Sequence, residues 1–261
     1  MTMPRKHVFN LLAASWFPGI AQSIIAALIL AGLGLIWKGR SRIAAFWSFW
    51  SFYRRNRLLL DSIRSINMRR FTRTRSDYRE NRADTATIGA YVETAKHDLK
   101  IVGFTLITGV HFHELSESLL KMMKRDSPVE ISVSLIDPRQ NMLMHAIAPS
   151  FDCSAADFRA KVREALRKLL AIRESVPPER REGFKIFVHK AIPFGSAILI
   201  DTDHPDGRIQ IETKAYKANL EQSWGFEIQA GGTHEFYHTL VTAYEKIIED
   251  GAQVRDLTDI G

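Results

Sequence analysis

The chain of 261 residues, 46% hydrophobic and 25% charged, has the composition of an ordinary folded protein, which excludes disordered, collagenous and disulfide-stapled classes. Its single cysteine, Cys153, forms no internal bridge and no thiolate metal cluster, which fits a reducing compartment. The formal charge of +7 is unevenly spread: +2 over residues 1–37, +10 over 38–82 (thirteen basic side chains against Asp61, Asp77 and Glu80), and −5 over 83–261. A duplex-binding domain is basic where it folds, because counterion release drives its affinity, so the acidic C-terminal region argues against duplex nucleic acid as a partner.

From Val8 to Trp37 there is no charged side chain. At 1.5 Å per residue that run is long enough to cross a hydrocarbon core of roughly 30 Å. The apolar stretch leads directly into Lys38, Arg40 and Arg42 without a small-residue cleavage site, so it reads as a retained anchor rather than a cleaved leader. Trp16, Phe17 and Trp37 suit the two interfaces, and the heavier basic flank after Trp37 places the C-terminus in the cytoplasm. Within the span Gln22 and Ser23 are polar, and Ala27 with Ala31 has small-xxx-small spacing. These positions are candidates for lining a pore in a homo-oligomer, and they suit equally a monomeric anchor that tolerates a Gln near its outer end.

Residues 1–42 are thus assigned to the anchor and 43–85 to a basic juxtamembrane helix or linker. In the latter, the aromatic run Phe46 to Tyr53 precedes Arg54, Arg55 and Arg57, as at a headgroup boundary. Leu59, Ile63, Ile66 and Phe71 recur at roughly helical spacing.

Over residues 86–261 the pattern becomes α/β. A helix is predicted over Ala86–Lys100, a strand over Leu99–Leu106, a helix over His113–Lys124 and an alternating strand over Val129–Ile136, stopped by Asp137-Pro138. Ser154, with Asp157 three residues on, caps a long helix that Pro177-Pro178 ends. Strands follow at Phe184–His189, Ser196–Asp201, Arg208–Thr213 and Gly225–Gln229, with a turn at Asp203-His204-Pro205-Asp206-Gly207 and a final helix over Thr233–Glu249. The expectation is a mostly parallel central sheet with an antiparallel closing portion, in a mixed-sheet α/β sandwich.

The run Ile101-Val102-Gly103, the strand end Leu135-Ile136-Asp137-Pro138, the long helix and Ile192-Pro193-Phe194-Gly195-Ser196-Ala197-Ile198-Leu199-Ile200-Asp201 together resemble one half of a phospholipase D-like domain. The likeness is greater to the degenerate bacterial branch used as a sensor-like module, and it spans roughly residues 86–254. The active family has a histidine, a lysine two positions on and an aspartate seven positions on. Phe194 stands at the histidine, Ser196 at the lysine, and Asp201 agrees. A phenyl ring cannot be the nucleophile and a serine stabilises phosphate charge only weakly, so the resemblance implies a pseudoenzyme that keeps the fold for binding.

Lys214, Tyr216, Lys217 and Asn219 follow the third of the closing strands, near where the family displays a phosphate-facing segment. With Phe194, Ser196 and Asp201 they are the candidate ligand-binding residues, and solvated lysines are the plain alternative. His189-Lys190 reads as a strand-end pair. His234 and His238 lack the zinc-protease spacing, and His111 and His113 lack a third ligand, so no metal and no cofactor is expected.

The resemblance implies a membrane effector of the bacterial inner membrane. Its cytoplasmic domain senses a nucleotide or short single-stranded oligonucleotide, and its oligomeric anchors open a pore or disrupt the membrane, in the setting of antiphage defence. A membrane-tethered phosphodiesterase or nuclease and a non-signalling scaffold are the competing readings. A scaffold tolerates alanine at Lys214 and Lys217, whereas the sensor does not.

Overall fold

The computed structural model describes residues 54, 57–58, 61–72, 87–106, 112–213, 217, 222–232 and 235–260. The expected anchor, with Gln22 and Ser23, lies outside them, as do Lys214, Tyr216 and Asn219. Among the described residues no helix is long and apolar enough to cross a membrane. The chain divides into two compact units, Met1–Leu60 and Asp61–Gly261, and the sheet with its covering helices belongs to the second.

In chain order this unit contains β1 (Met68–Thr72), α1 (Ile88–Val92), β2 (Asp98–Gly103), α2 (Phe112–Met123), β3 (Glu130–Ile136), α3 (Asn141–Ile147), α4 (Ala155–Ser175), β4 (Phe184–His189), β5 (Ser196–Ile200), β6 (Arg208–Thr213), β7 (Trp224–Gln229), α5 (Phe236–Glu249) and β8 (Ala252–Gln253). The strands form one sheet in the order β1-β7-β6-β5-β2-β3-β4-β8.

Local chemistry accounts for most boundaries. Ser154 Oγ accepts from the Asp157 amide at 3.1 Å and donates to Asp157 Oδ2 at 2.6 Å, closing the expected cap of α4. Val176, held extended by the proline after it, ends that helix. In β3 the side chains of Ile131, Val133 and Leu135 enter one core, while Ser134 is buried on the opposite face.

That first core lies under α1, α2, α3 and α4 and includes Leu119, Met122, Phe158, Leu166 and Phe184, all fully buried. On the other face α5 lays Tyr237, Val241, Tyr244 and Ile248 over Val102, Ala197, Leu199, Ile209, Ile211 and Ile228. The sheet is covered on both faces, which is why β5 reads as a nearly continuous apolar run.

Three expectations are corrected. Only two of the seven strand pairings, β2 with β3 and β3 with β4, are parallel. These are the pairs joined by helical crossovers; β5 returns antiparallel beside β2, so the sheet is predominantly antiparallel. The helix expected over Ala86–Lys100 is a single short element capped by Thr87, whose Oγ1 accepts from the Ala90 amide at 3.2 Å.

The third correction falls in the segment read as juxtamembrane helix or linker. Helical spacing through Ile63 and Ile66 stops at Asn67, which adopts the left-handed region at φ 53°. Its Nδ2 donates to the carbonyls of Gln229 at 3.0 Å and Ala230 at 2.7 Å. The chain then runs as β1 along the edge of the sheet, antiparallel to β7, and Phe71 belongs to that strand rather than to a helix.

Candidate functional site

Strand directions bring the C-terminal ends of β1, β2, β3, β4 and β6 and the first residues of β5 and β7 to one end of the sheet. Phe194 and Ser196 are there, and the 214–223 connection leaves β6 from the same end. Thr213 Oγ1 donates to the Phe194 carbonyl at 3.3 Å, so that connection starts beside Phe194. Lys217, the one described member of the candidate set Lys214, Tyr216, Lys217 and Asn219, is exposed at φ 56°.

Phe194 is 63% exposed and stands edge-on to Trp224, with ring centroids 6.4 Å apart. The backbone beneath it is tightly held. Tyr244 Oη donates to the Gly195 carbonyl at 2.9 Å and accepts from the Gly195 amide at 3.2 Å, and burial pushes that phenol up to about 12. A Cβ on Gly195 would lie 2.5 Å from the Glu212 carbonyl oxygen, so β5 approaches β6 here only because the residue is glycine. Ser196 rests against Gly103, where a Cβ would come within 3.0 Å of Ser196 Oγ.

His189, at the end of β4, is buried beneath this cluster. Its Nδ1 lies 3.0 Å from the Ala191 carbonyl and its Nε2 lies 3.2 Å from the Gly103 carbonyl. Burial holds its pKa below the ordinary histidine value, against the opposing pull of those two carbonyls and of Asp137. Asp137, also buried, accepts from Arg139 Nε at 2.9 Å and Nη2 at 3.0 Å. Burial raises that carboxyl, but the Arg139 hydrogen bonds outweigh it and hold it below the usual carboxylate range.

Asp201 is not part of this end. It follows β5, whose length at about 3.3 Å per residue separates Ser196 from Ile200 by roughly 13 Å. Its Oδ1 accepts from the amides of His97 at 2.7 Å and of Lys96 and Asp98 at 3.1 Å each, which fixes the entry to β2 beside the stacked rings of His97 and His204. The carboxylate is thus engaged by backbone. Of the other histidines singled out in the sequence, His113 is exposed opposite Glu117 at 3.6 Å and His238 packs edge-on to Tyr237; His111 and His234 lie outside the described residues. Among the described residues no group of three or more His, Cys, Asp or Glu could hold a metal ion.

Sequence reasoning missed the partners of Phe194. Trp224 also contacts Phe71 of β1, at 6.1 Å between centroids, and Phe226, at 6.4 Å. Trp224 and Phe226 are alternate residues of β7, a spacing that places them on one face, but their meeting with Phe71 and Phe194 depends on sheet order.

No family model matches the chain and no curated protein aligns with it. Among solved structures it is similar to Nuc from Salmonella typhimurium, a phospholipase D family member (11% identity, 64% of this chain and 88% of that one, TM-score 0.40). It is also similar to the phosphatidylserine synthase of Haemophilus influenzae (11% identity, 67% of this chain and 37% of that one, TM-score 0.44). A third likeness is to NucT from Helicobacter pylori (9% identity, 64% of this chain and 87% of that one, TM-score 0.33). These are similarities of fold at low identity, and no assignment of activity rests on them.

Proposed function

We propose that the chain is a membrane-anchored binding module. In this reading its phospholipase D-like domain captures a phosphate-containing ligand, a nucleotide or short single-stranded oligonucleotide, without hydrolysing it. The observation that carries the reading is Phe194: a ring 63% exposed, edge-on to Trp224, at the position where the resembled family has its nucleophile. An exposed ring on a backbone pinned by Tyr244 and β6 is suited to holding a flat group and unsuited to taking up a phosphoryl group. Ser196 beside it supplies a hydroxyl in place of a cation, and Lys217 with Lys214, Tyr216 and Asn219 supplies the phosphate contacts. Asp201 serves the fold.

Ligand capture is transmitted to the anchor of residues 1–42 in a homo-oligomer of the bacterial inner membrane, with the domain on the cytoplasmic side. Gln22 and Ser23 then face a pore or a membrane-disrupting assembly, which suits a role in antiphage defence.

The test is full-length protein in liposomes, assayed for ion conductance and for hydrolysis of bis-p-nitrophenyl phosphate, with a panel of cyclic nucleotides and short oligonucleotides. Ligand-dependent conductance without hydrolysis, lost in Lys214→Ala/Lys217→Ala, is the expected result. Turnover of the phosphodiester replaces this reading with a tethered phosphodiesterase, and a silent monomer replaces it with a scaffold.

A further inference from the structure

Three aromatic side chains at the Phe194 end of the sheet have no role in either core. Phe71 is 59% exposed, Phe194 is 63% exposed, and Trp224, half-buried, lies in contact with both. An edge strand such as β1 is ordinarily guarded by charge rather than decorated with an open phenylalanine, and a connected strip of exposed rings marks a binding surface.

The ring geometry defines what fits. Trp224 is inclined 37° to Phe71 and 73° to Phe194, with 6.1 Å and 6.4 Å between centroids. These separations exceed the roughly 3.4 Å step of stacked bases, so the rings offer separate faces rather than one slot. Separate faces suit bases that are already unstacked and unpaired, which a single strand has and a duplex lacks. Charge agrees: β1 lies in the segment that carries +10 over residues 38–82, Arg69 is exposed in the strand's bulge, and Lys190 is exposed at the end of β4. The seat is rigid, because Gly195 is fixed by Tyr244 and β7 is paired on both sides, so little ordering cost is left for binding.

We propose that Phe71, Trp224 and Phe194 form a stacking platform for successive bases of a single-stranded oligonucleotide, with Arg69 and Lys190 meeting its phosphates. The proposal rests on the phosphate-ligand reading above and names the part of the ligand that the rings recognise. It commits to a strand rather than a membrane surface because Phe71 and Trp224 are held on the paired strands β1 and β7, and Phe194, in the loop before β5, is tied to β6 through Thr213 and stands on a backbone fixed by Tyr244, so the three rings are not carried on one inserting loop.

The experiment is fluorescence anisotropy of the full chain in nanodiscs, using a labelled six-nucleotide oligothymidylate and an abasic strand of equal length and charge. Measurements are made on wild type, Phe71→Ala and Phe71→Tyr. Since each stacked base contributes about 1–3 kcal/mol, Phe71→Ala weakens binding of the intact strand by about 5- to 150-fold, Phe71→Tyr restores it, and the abasic strand binds weakly to all three. Equal binding of intact and abasic strands, or no effect of Phe71→Ala, overturns the platform and leaves phosphate binding standing. If neither strand nor any nucleotide of the panel binds wild type, the phosphate-ligand reading itself fails. If Phe71→Ala alters only quenching by brominated phosphatidylglycerol, the rings belong to a lipid surface and the proposal is overturned.

Discussion

The imidazole of His189 lies between two carbonyl oxygens, those of Ala191 at 3.0 Å and Gly103 at 3.2 Å, and so joins the loop before β5 to the end of β2. A neutral ring has one N–H and satisfies one of these acceptors; only the imidazolium satisfies both. Burial nevertheless favours the neutral form and sets the folded pKa below 6.5. Between that folded value and 6.5 the unfolded chain holds a proton that the native ring lacks, so stability is full above 6.5 and falls as the pH drops below it. Urea midpoints at pH 7.5 and pH 5 are expected to show this loss in wild type, and His189→Gln, which cannot titrate, is expected to reduce it.

Asp201 gives a prediction of opposite character. Asp201→Ala leaves the amides of Lys96, His97 and Asp98 without their acceptor and also forces a residue that disfavours φ 50° into the left-handed region. A loss of about 2–4 kcal/mol in denaturant unfolding is expected, with Asp201→Asn recovering part of it because Asn keeps one acceptor and tolerates that backbone. Ligand affinity at the opposite end of β5 should be unchanged wherever the variant remains folded.

Lys100, in the middle of β2, donates to Glu245 Oε1 of α5 at 2.5 Å and to Thr202 Oγ1 at 3.1 Å, with Asp98 Oδ1 at 3.3 Å. Burial lowers its pKa, but Glu245 and Asp98 outweigh burial and keep the ammonium above its ordinary value. That contribution is present below 10.5 and is lost only in stronger alkali, so it is constant over the physiological range. Lys100→Met is expected to cost about 2–4 kcal/mol, read as a lower urea midpoint, and Lys100→Met/Glu245→Leu to recover part by removing the stranded carboxylate.

At Gly195 the added methyl of alanine meets the backbone of Glu212, which cannot yield as a side chain would. Gly195→Ala is expected to part β5 from β6 locally, costing about 1–3 kcal/mol and displacing Phe194. A thermal melt reads the first effect. Weakened oligonucleotide binding, with the far end of β5 unaltered, reads the second.

Much of the fold was legible in the chain itself wherever the cause is local. The cap at Ser154 and Asp157, the stop at Pro177, and strands β4 and β6 followed from spacing and turn chemistry within a few residues. The β5–β6 hairpin followed from the turn at Asp203–Gly207, but the places of β1 beside β7 and of β5 beside β2 were not legible, because an apolar alternation does not say which neighbour a strand takes. β1 was hidden for a related reason: in a short, Arg-rich stretch the spacing of Ile63, Ile66 and Phe71 fits a helix, and only pairing with β7 selects the extended form.

The candidate site divides in the same way. Sequence spacing alone put Phe194 and Ser196 side by side at the start of one strand, since this needs only the register of β5. Asp201 had the matching spacing, yet its location beyond the far end of β5 and its three amide donors came from the tertiary structure. The structure also decided that His189 is buried between two carbonyls and that Phe71 meets Trp224. Short-range sterics and hydrogen bonding act on residues adjacent in sequence, whereas the contacts of His189 with Gly103 and of Phe71 with Trp224 join segments more than eighty residues apart and exist only once the sheet has closed.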